Sequence, residues 1–519
     1  MIQYHAALNS VVLPHDPRIL DACKSARQVG TVDAIPADLF NLQRLTRLGL
    51  PTVPPMRDYD WPGAPRIKPL VTQKLTANFL ALNPRAFVFS DMRTGKTFAS
   101  LWAADYVMRQ HPGAKCLIVA NLSTLRPTWG KAIFELFGGS RTYAICHGTA
   151  LQRERLLAGA ADFLIVNHDG LGVGAHARRD WRGFSRALLQ RKDICIAIVD
   201  EASAYRSAQT ARHRVARKIF EGYAYLWLLT GTPTSNGPMD AYGLKKLLDR
   251  NYFSSYRSLQ MEIMQQVTQF KWVPKPQAQD VVQKMLQPAI RFSQEDCFDL
   301  PAITVEQRDA DLGPGQAAAL KEIKREMSIT IGKGEITAVH EAALRQKFLQ
   351  ISAGAVYDAD HNVHHIEAAG RLTVLKEIID EAPRKIIIFA SLTAVIDFLY
   401  KELKDYSRVV VDGRTGEKER SQILKCFQSD PEPRILIAHP GPIARGLDLT
   451  AAATIVWYVP TDRTEDYLQA NERINGPKQK HARHIVQITS TALEREIFTR
   501  LDANQTLQGA LLKTMEMTR

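Results

Sequence analysis

Three consecutive residues, Gly95, Lys96 and Thr97, close the heptapeptide Asp91-Met92-Arg93-Thr94-Gly95-Lys96-Thr97. The pattern is that of a loop wrapped around phosphate. Backbone N–H groups of Met92, Arg93, Thr94 and Gly95 would face the oxygens, the Lys96 ammonium would reach the β and γ positions, and the Thr97 hydroxyl would hold Mg²⁺. One position departs from the GxxxxGK[ST] pattern: Ser90 stands where the first glycine is expected. Further along, residues 196–203 read IAIVDEAS. Two adjacent carboxylates at the end of an apolar run are costly unless they are put to use. Beside a phosphate loop, Asp200 would bind Mg²⁺ through its water shell and Glu201 would orient or deprotonate an attacking water. Residues 228–236, LLTGTPTSN, end another apolar run in a tight turn. There Thr230 and Thr232 can sense whether the Asp200/Glu201 site is filled. The chemistry expected is ATP binding and hydrolysis with Mg²⁺.

These groups meet only if the chain delivers them to one sheet edge. The apolar run 86–89 precedes the phosphate loop, and a helix-patterned run, 98–106, follows it. From residue 85 to about 249, short β-rich runs (AFVF, CLIVA, YAICH, DFLIVN, CIAIVDE, YLWLLTG) alternate with helical patterns. Near-continuous apolar strands between amphipathic helices predict a parallel sheet covered on both faces. A second set (KIIIFAS, RVVVDG, RILIAH, TIVWYV, HIVQIT) repeats the architecture after residue 370, with helices expected at 394–405 and 417–428. Between the sets, residues 316–350 are helix-forming and charge-rich, which reads as a helical insertion. Residues 1–65 become Pro-rich toward their end and carry one helical candidate, 37–48. They read as an accessory segment and linker.

The chain of 519 residues is ordinary in its 45% hydrophobic and 23% charged content, but its net charge of +13 is not. Such an excess favours a polyanionic partner, nucleic acid first and an anionic membrane surface a distant second. Six cysteines are scattered without CxxC spacing. Cys116 and Cys195 sit in strand-like runs, so buried reduced thiols are expected rather than disulfides or zinc. No apolar run approaches membrane-spanning length, and the N-terminus lacks a basic-then-apolar signal pattern. A cytoplasmic protein with no membrane partner is expected. His361, His364 and His365 lack a cysteine or acidic cluster at coordination spacing and read as an exposed hairpin. The basic run Arg178, Arg179, Arg182, Arg186, Arg191, Lys192 suits either DNA or a solvated helix face.

The order of these blocks resembles the engines of superfamily-two helicases and translocases, specifically the Swi/Snf-like branch. Residues 116–137, CLIVANLSTLRPTWGKAIFELF, look like that family's strand–loop–Trp–helix block, with Trp129 at its expected place. Residues 162–171, DFLIVNHDGL, look like the DNA-facing block that follows. KIIIFASLTAVIDFL and VVVDGRTGEKERSQILKCFQ resemble the opening of the second motor domain, AHPGPIARGLDLTAAATIVWY its next motif, and DYLQANERINGPKQK its last. The likeness runs from about residue 66 to 501 and fits a compact phage- or bacterial-type member.

The resemblance implies an α/β fold of two tandem RecA-like parallel-sheet motor domains. Residues 1–65 would form the accessory segment, 66–250 the ATP-binding motor domain, 251–370 the helical insertion and 371–519 the helicase C-terminal domain. It implies ATP bound between the motor domains, with Gln73 reading the adenine edge and Gly446 and Asp448 on the nucleotide side of the second domain. Gln469 and Arg473 match the last motif, and Arg473 is the candidate arginine finger. Three departures stand out. Arg93 and Thr94 replace a frequent Gly-Leu. Ser203 replaces the histidine of Asp-Glu-Ala-His, leaving its contact with the third motif absent or made by a hydroxyl. Gly476 occupies the position of the second arginine, with Lys478 or Arg445 as possible substitutes.

DNA contacts implied by the resemblance are Ser123, Thr124 and Arg126, then His168, Thr230, Ser391 and Arg445. Hydroxyls and backbone amides gripping phosphates would make binding independent of sequence and sensitive to salt. The function implied is a DNA-stimulated ATPase, a monomeric translocase moving on duplex or forked DNA in a bacterial or phage-infected cell. The alternatives are a strand-separating helicase on DNA or RNA, and a catalytically weak DNA-binding scaffold.

Overall fold

The computed structural model describes residues 2–65, 67–175, 181–268, 272–332, 338–358, 362–443, 449–476 and 479–503. The chain divides into two compact units, with the break between Cys297 and Phe298.

The first unit opens with a four-stranded antiparallel sheet ordered Gln3–His5, Ser10–Pro14, Val32–Pro36, Arg27–Val29. Val11, Leu13 and Ile35 alternate inward with period two and are buried. The helix expected at 37–48 is Leu39–Arg47, started by Asp38, whose carboxylate accepts from Asn41 N at 3.0 Å. The strands were not expected from the sequence, because each is only three to five residues long. Residues 1–65 are also more than a linker. Leu39, Met56 and Tyr59 share one apolar cluster with Ala77, Leu80 and Trp102, beyond residue 65. Gln43 Nε2 donates to Ala81 O at 2.7 Å and to Tyr225 OH at 3.0 Å.

The large sheet of this unit has seven strands, in the order Ala289–Ile290, Arg85–Val88, Tyr225–Leu229, Ile194–Val199, Lys115–Ala120, Phe163–Asn167, Tyr143–Ile145. Every neighbouring pair is parallel. All six apolar runs read as strands lie in it. Burial on both faces explains the unbroken hydrophobicity of the inner strands, while the edge strand Tyr143–Ile145 is only partly buried. Of the two strand thiols expected to be buried, Cys116 is, whereas Cys195 is partly exposed.

The second unit is built on six parallel strands, in the order Ile303–Asp309, Arg483–Thr489, Ala452–Trp457, Lys385–Phe389, Ile435–Ala438, Arg408–Val411. Inside it Arg371 and Glu494, both buried, pair at 2.6 Å. His364 and His365 lie on a two-stranded antiparallel hairpin, Ala355–Tyr357 with Val363–His365; His361 is outside the described residues.

The stretch 251–370 is not one bridge. Its charge-rich centre is helical as expected, in Pro314–Gly332 and Ala338–Ala353. Its flanks belong to the two units. Leu259, Ile263, Ala278 and Val282 join a core cluster of the first, and Ala289–Ile290 extends the first sheet. Ile303–Asp309 forms an edge of the second sheet. Both added strands are edges, one only two residues long and the other with charged Glu306, Arg308 and Asp309, so neither leaves an apolar run. Among the described residues no helix is long and apolar enough to cross a membrane.

Candidate site of ATP binding and hydrolysis

The phosphate loop, the LLTGTPTSN turn and the acidic pair leave the carboxyl ends of three neighbouring parallel strands, Arg85–Val88, Tyr225–Leu229 and Ile194–Val199. Ligands in open parallel sheets bind at that end. The helix after the loop runs Lys96–Gln110, and Gly95 before it has φ 84°. Glycine is favoured here by its backbone and by the closeness of Gln73. The backbone is left-handed, and a Cβ would stand 1.8 Å from Gln73 Nε2. Gln73 therefore packs its amide directly against the loop, from the helix Val71–Leu82. Its Oε1 accepts from Leu70 N at 2.9 Å, which holds the side chain in place. Thr94 is buried and donates to Asp91 O at 2.8 Å. Arg93 takes a left-handed φ of 66°, a strained state for a residue with a side chain. Lys96 Nζ donates to Ser90 O at 2.7 Å and Asp91 O at 2.8 Å.

Asp200 follows the central strand and donates its N–H to Val119 O at 2.8 Å. Its carboxylate accepts from Trp129 Nε1 at 3.0 Å and from Glu201 N at 3.1 Å. Burial pushes the Asp200 carboxyl above the ordinary carboxylate range, while the charge of Lys96 and the two hydrogen bonds pull against that rise. Trp129 is wholly buried, on a π-helical turn Leu125–Gly130. Glu201 sits in the left-handed region, φ 49° and ψ 53°, beside the strand end. The Mg²⁺ that ATP chemistry implies fits this donor set. A desolvated carboxylate calls for a cation, and the Asp200 carboxylate and Thr97 hydroxyl are hard oxygen donors.

Ser203 is buried. Arg206 links the acidic block to the LLTGTPTSN turn. Its Nη1 donates to Ser235 Oγ at 3.2 Å. With the Asn236 amide oxygen turned toward it, Nε and Nη2 donate there at 2.9 and 3.2 Å. A guanidinium shortly after the position of the missing histidine was visible in the sequence, but nothing there paired it with Ser235. In the same turn Thr230 Oγ1 accepts from Thr232 N at 3.1 Å. Thr232 Oγ1 is buried with no hydrogen-bond partner among the described residues.

The remaining expected residues divide. Ser123, Thr124 and Arg126 lie on the turns after Lys115–Ala120, with Arg126 exposed. His168 and Thr230 do not face outward as DNA-contacting groups would. His168 is buried, with Nδ1 3.1 Å from Tyr205 OH, and Thr230 is 1% exposed. In the second unit Gln469 and Arg473 are buried, and Gln469 Nε2 donates to Glu465 Oε1 at 3.2 Å. Ser391, after the strand Lys385–Phe389, is partly exposed. Gly476 has φ 146°, a conformation that disfavours any side chain, so an arginine would be strained at this position. Arg445, Gly446, Asp448 and Lys478 lie outside the described residues, as do Arg178 and Arg179 of the basic run.

Two parallel α/β units stand in tandem, the first with a phosphate loop and an acidic pair on one sheet edge, a layout suited to binding and hydrolysing a nucleoside triphosphate. The SNF2-related domain matches residues 81–353, just over half of the chain, and the Helicase conserved C-terminal domain matches residues 370–475. The protein belongs to the SNF2-related family and is an ATP-hydrolysing enzyme of the Swi/Snf type. It is similar to protein p41 of the Acyrthosiphon pisum secondary endosymbiont phage 1, at 24% identity over 86% of this chain and 98% of that one. It is also similar to the SWI/SNF-related matrix-associated actin-dependent regulator of chromatin subfamily A-like protein 1 of Drosophila melanogaster, at 22% identity over 73% of this chain but only 47% of that one. A solved structure, the Sulfolobus solfataricus SWI2/SNF2 ATPase core in complex with dsDNA, aligns with 87% of this chain and 95% of that one, at 18% identity and a TM-score of 0.40.

Proposed function

We propose that the chain is an ATP-dependent DNA translocase, moving on duplex or forked DNA without reading its sequence. The observation that supports it most is the convergence of Lys96, Gln73, Asp200 and Trp129 at the end of one parallel sheet, in a chain with a net charge of +13. Lys96 exchanges its two carbonyl partners for phosphate oxygens, and Gln73, already against Gly95, lies on the adenine side. Asp200 and Thr97 would hold Mg²⁺, which neutralises charge developing on the phosphates. Glu201 orients or deprotonates the attacking water. Arg473, carried by the second unit, is the candidate arginine finger, a role worth about a thousandfold or more in rate. Ser123, Thr124 and Arg126 of the first unit and Ser391 of the second are the DNA-contact candidates. A phage relative that this chain nearly spans supports a bacterial or phage-infected setting.

ATP hydrolysis measured with duplex, forked and single-stranded DNA and with RNA tests the proposal, together with triplex displacement. The expected result is stimulation by duplex or forked DNA and displacement of the third strand, both abolished in Lys96→Ala and Glu201→Gln. Arg473→Ala is expected to keep DNA binding and lose most turnover. Unwinding of a forked substrate without triplex displacement would favour the strand-separating helicase. Retention of biological activity by Lys96→Ala would favour a scaffold.

A further inference from the structure

Ser90, the residue that breaks the phosphate-loop pattern, is 1% exposed and uses its side chain. Its Oγ accepts from Phe292 N at 3.0 Å. The next residue is held as well. Asp91 N donates to Phe292 O at 3.0 Å, and the Asp91 carboxylate meets Arg291 Nη2 at 3.3 Å and Gln294 N at 3.2 Å. Met92 O then accepts from Gln294 Nε2 at 3.1 Å. Three successive residues at the start of the loop are thus tied to residues 291–294, whose Arg291 and Gln294 are 7% and 3% exposed. The ties continue the ladder of the edge strand, in which Phe87 and Phe89 donate to Pro288 O and Ile290 O, each at 2.9 Å. Three residues past Gln294, Cys297 Sγ lies 3.4 Å from Thr72 Oγ1, next to Gln73, and the first unit ends there.

We propose that residues 290–297 are a strap that sets the phosphate loop, which makes Ser90, Arg291 and Gln294 positioning residues for ATP hydrolysis. The proposal rests on the ATP-hydrolase assignment and concerns residues that touch the loop, not the phosphates. Its logic runs through Lys96. The ammonium rests on the carbonyls of Ser90 and Asp91, the two residues held most firmly by the strap. Releasing Lys96 to phosphate removes a cation from beside Asp91 and leaves it facing the strap's own charges, Arg291 in attraction and Glu295 in repulsion. Loop occupancy is thereby felt by the strap, and the strap is the last piece of chain before the second unit. Ser90 is then a working replacement for glycine. Its backbone has no need of glycine's freedom, and its hydroxyl supplies a bond that glycine lacks.

Two substitutions test this, each in the full-length protein. Ser90→Gly restores the general motif and removes the hydroxyl tie. Gln294→Met keeps the volume and the backbone N–H but removes the bond to Met92. Both are expected to lower kcat/KM for ATP about tenfold, mostly through kcat, while the melting temperature stays within about 4 °C of the parent. Ser90→Thr, which keeps a hydroxyl, is expected to recover most of the Ser90→Gly loss. Improved or unchanged turnover in Ser90→Gly, or losses that only track a falling melting temperature, would overturn the strap. Hydrogen exchange of the parent with and without ADP covers the case of a variant that does not fold. Protection of 90–96 and 288–297 is expected to rise together, and indifference of the second segment refutes the proposal. Because that measurement uses binding alone, it also separates failure of the strap from failure of the hydrolase assignment, which would show as a parent that binds ADP without turning over ATP.

Discussion

Replacing Trp129 by Phe should move the pH profile of ATP hydrolysis. The indole N–H is one of two donors on the Asp200 carboxylate, at 3.0 Å, from a side chain with no exposed surface. A hydrogen bond to a charged group contributes about 1.5–3 kcal/mol, equivalent to about a ten- to hundredfold change in an equilibrium constant. That bond favours the ionised carboxylate, which burial already disfavours. Without it the Asp200 pKa rises further, and the acid limb of kcat/KM is expected to move up by about one pH unit or more. The stability sign follows from linkage. A carboxyl whose folded pKa is raised contributes most stability below its unfolded pKa and loses that contribution as pH rises through the folded value. The melting deficit of Trp129→Phe should therefore be larger near neutrality than in acid. The smaller ring also leaves a cavity, but a cavity does not titrate. The assay is DNA-stimulated ATPase between about pH 5 and 9 at saturating Mg²⁺, with parallel melting curves. An unmoved acid limb, with kcat/KM unchanged at all pH values, would show that Trp129 only fills space.

Two further outcomes follow from neighbouring contacts. Arg206→Ala should uncouple the acidic block from the Ser235–Asn236 turn, lowering the DNA-stimulated rate about tenfold with little change in KM for ATP, and Arg206→Lys should recover only part of it; equal losses in kcat and nucleotide affinity would refute that role. Gln73→Ala should weaken ATP binding about fivefold or more and erode preference for ATP over GTP; unchanged preference in a competition assay would place Gln73 as packing only.

Much of this architecture could be read from the sequence because buried parallel strands have no polar face to disguise them. The six runs of the first sheet and five of the second were plain for that reason. Ala289–Ile290 and Ile303–Asp309 were not, since edge strands are short or carry charge outward. The N-terminal sheet escaped for a similar reason, each strand being only three to five residues long. The placing of the loop 91–97 and of the Asp200–Glu201 pair just after strands was legible from local spacing. Trp129 could be placed in its block but not given its bond to Asp200, which spans 71 positions. Arg206 reaching Ser235 and Arg291 reaching Asp91 are likewise tertiary pairings, invisible to any window along the chain. His168 illustrates the converse. Its place in a block resembling a DNA-facing one suggested exposure, whereas the ring is buried with Nδ1 3.1 Å from Tyr205 OH.

The way the N-terminal sheet is attached bears on how such a protein can be cut or recombined. Gln43 holds the last turn of the helix that bears Gln73, and Leu39, Met56 and Tyr59 fill the same core as Leu80 and Trp102. A truncation after residue 65 would uncover that apolar surface and orphan the Ala81 carbonyl and the Tyr225 hydroxyl. A graft of the motor domain onto another protein therefore has to carry its own first 65 residues or repaint the outer face of Val71–Leu82 with polar side chains. The segment behaves as a keel for the helix that carries Gln73, so a catalytic module cut at the first motif would lose part of its own core.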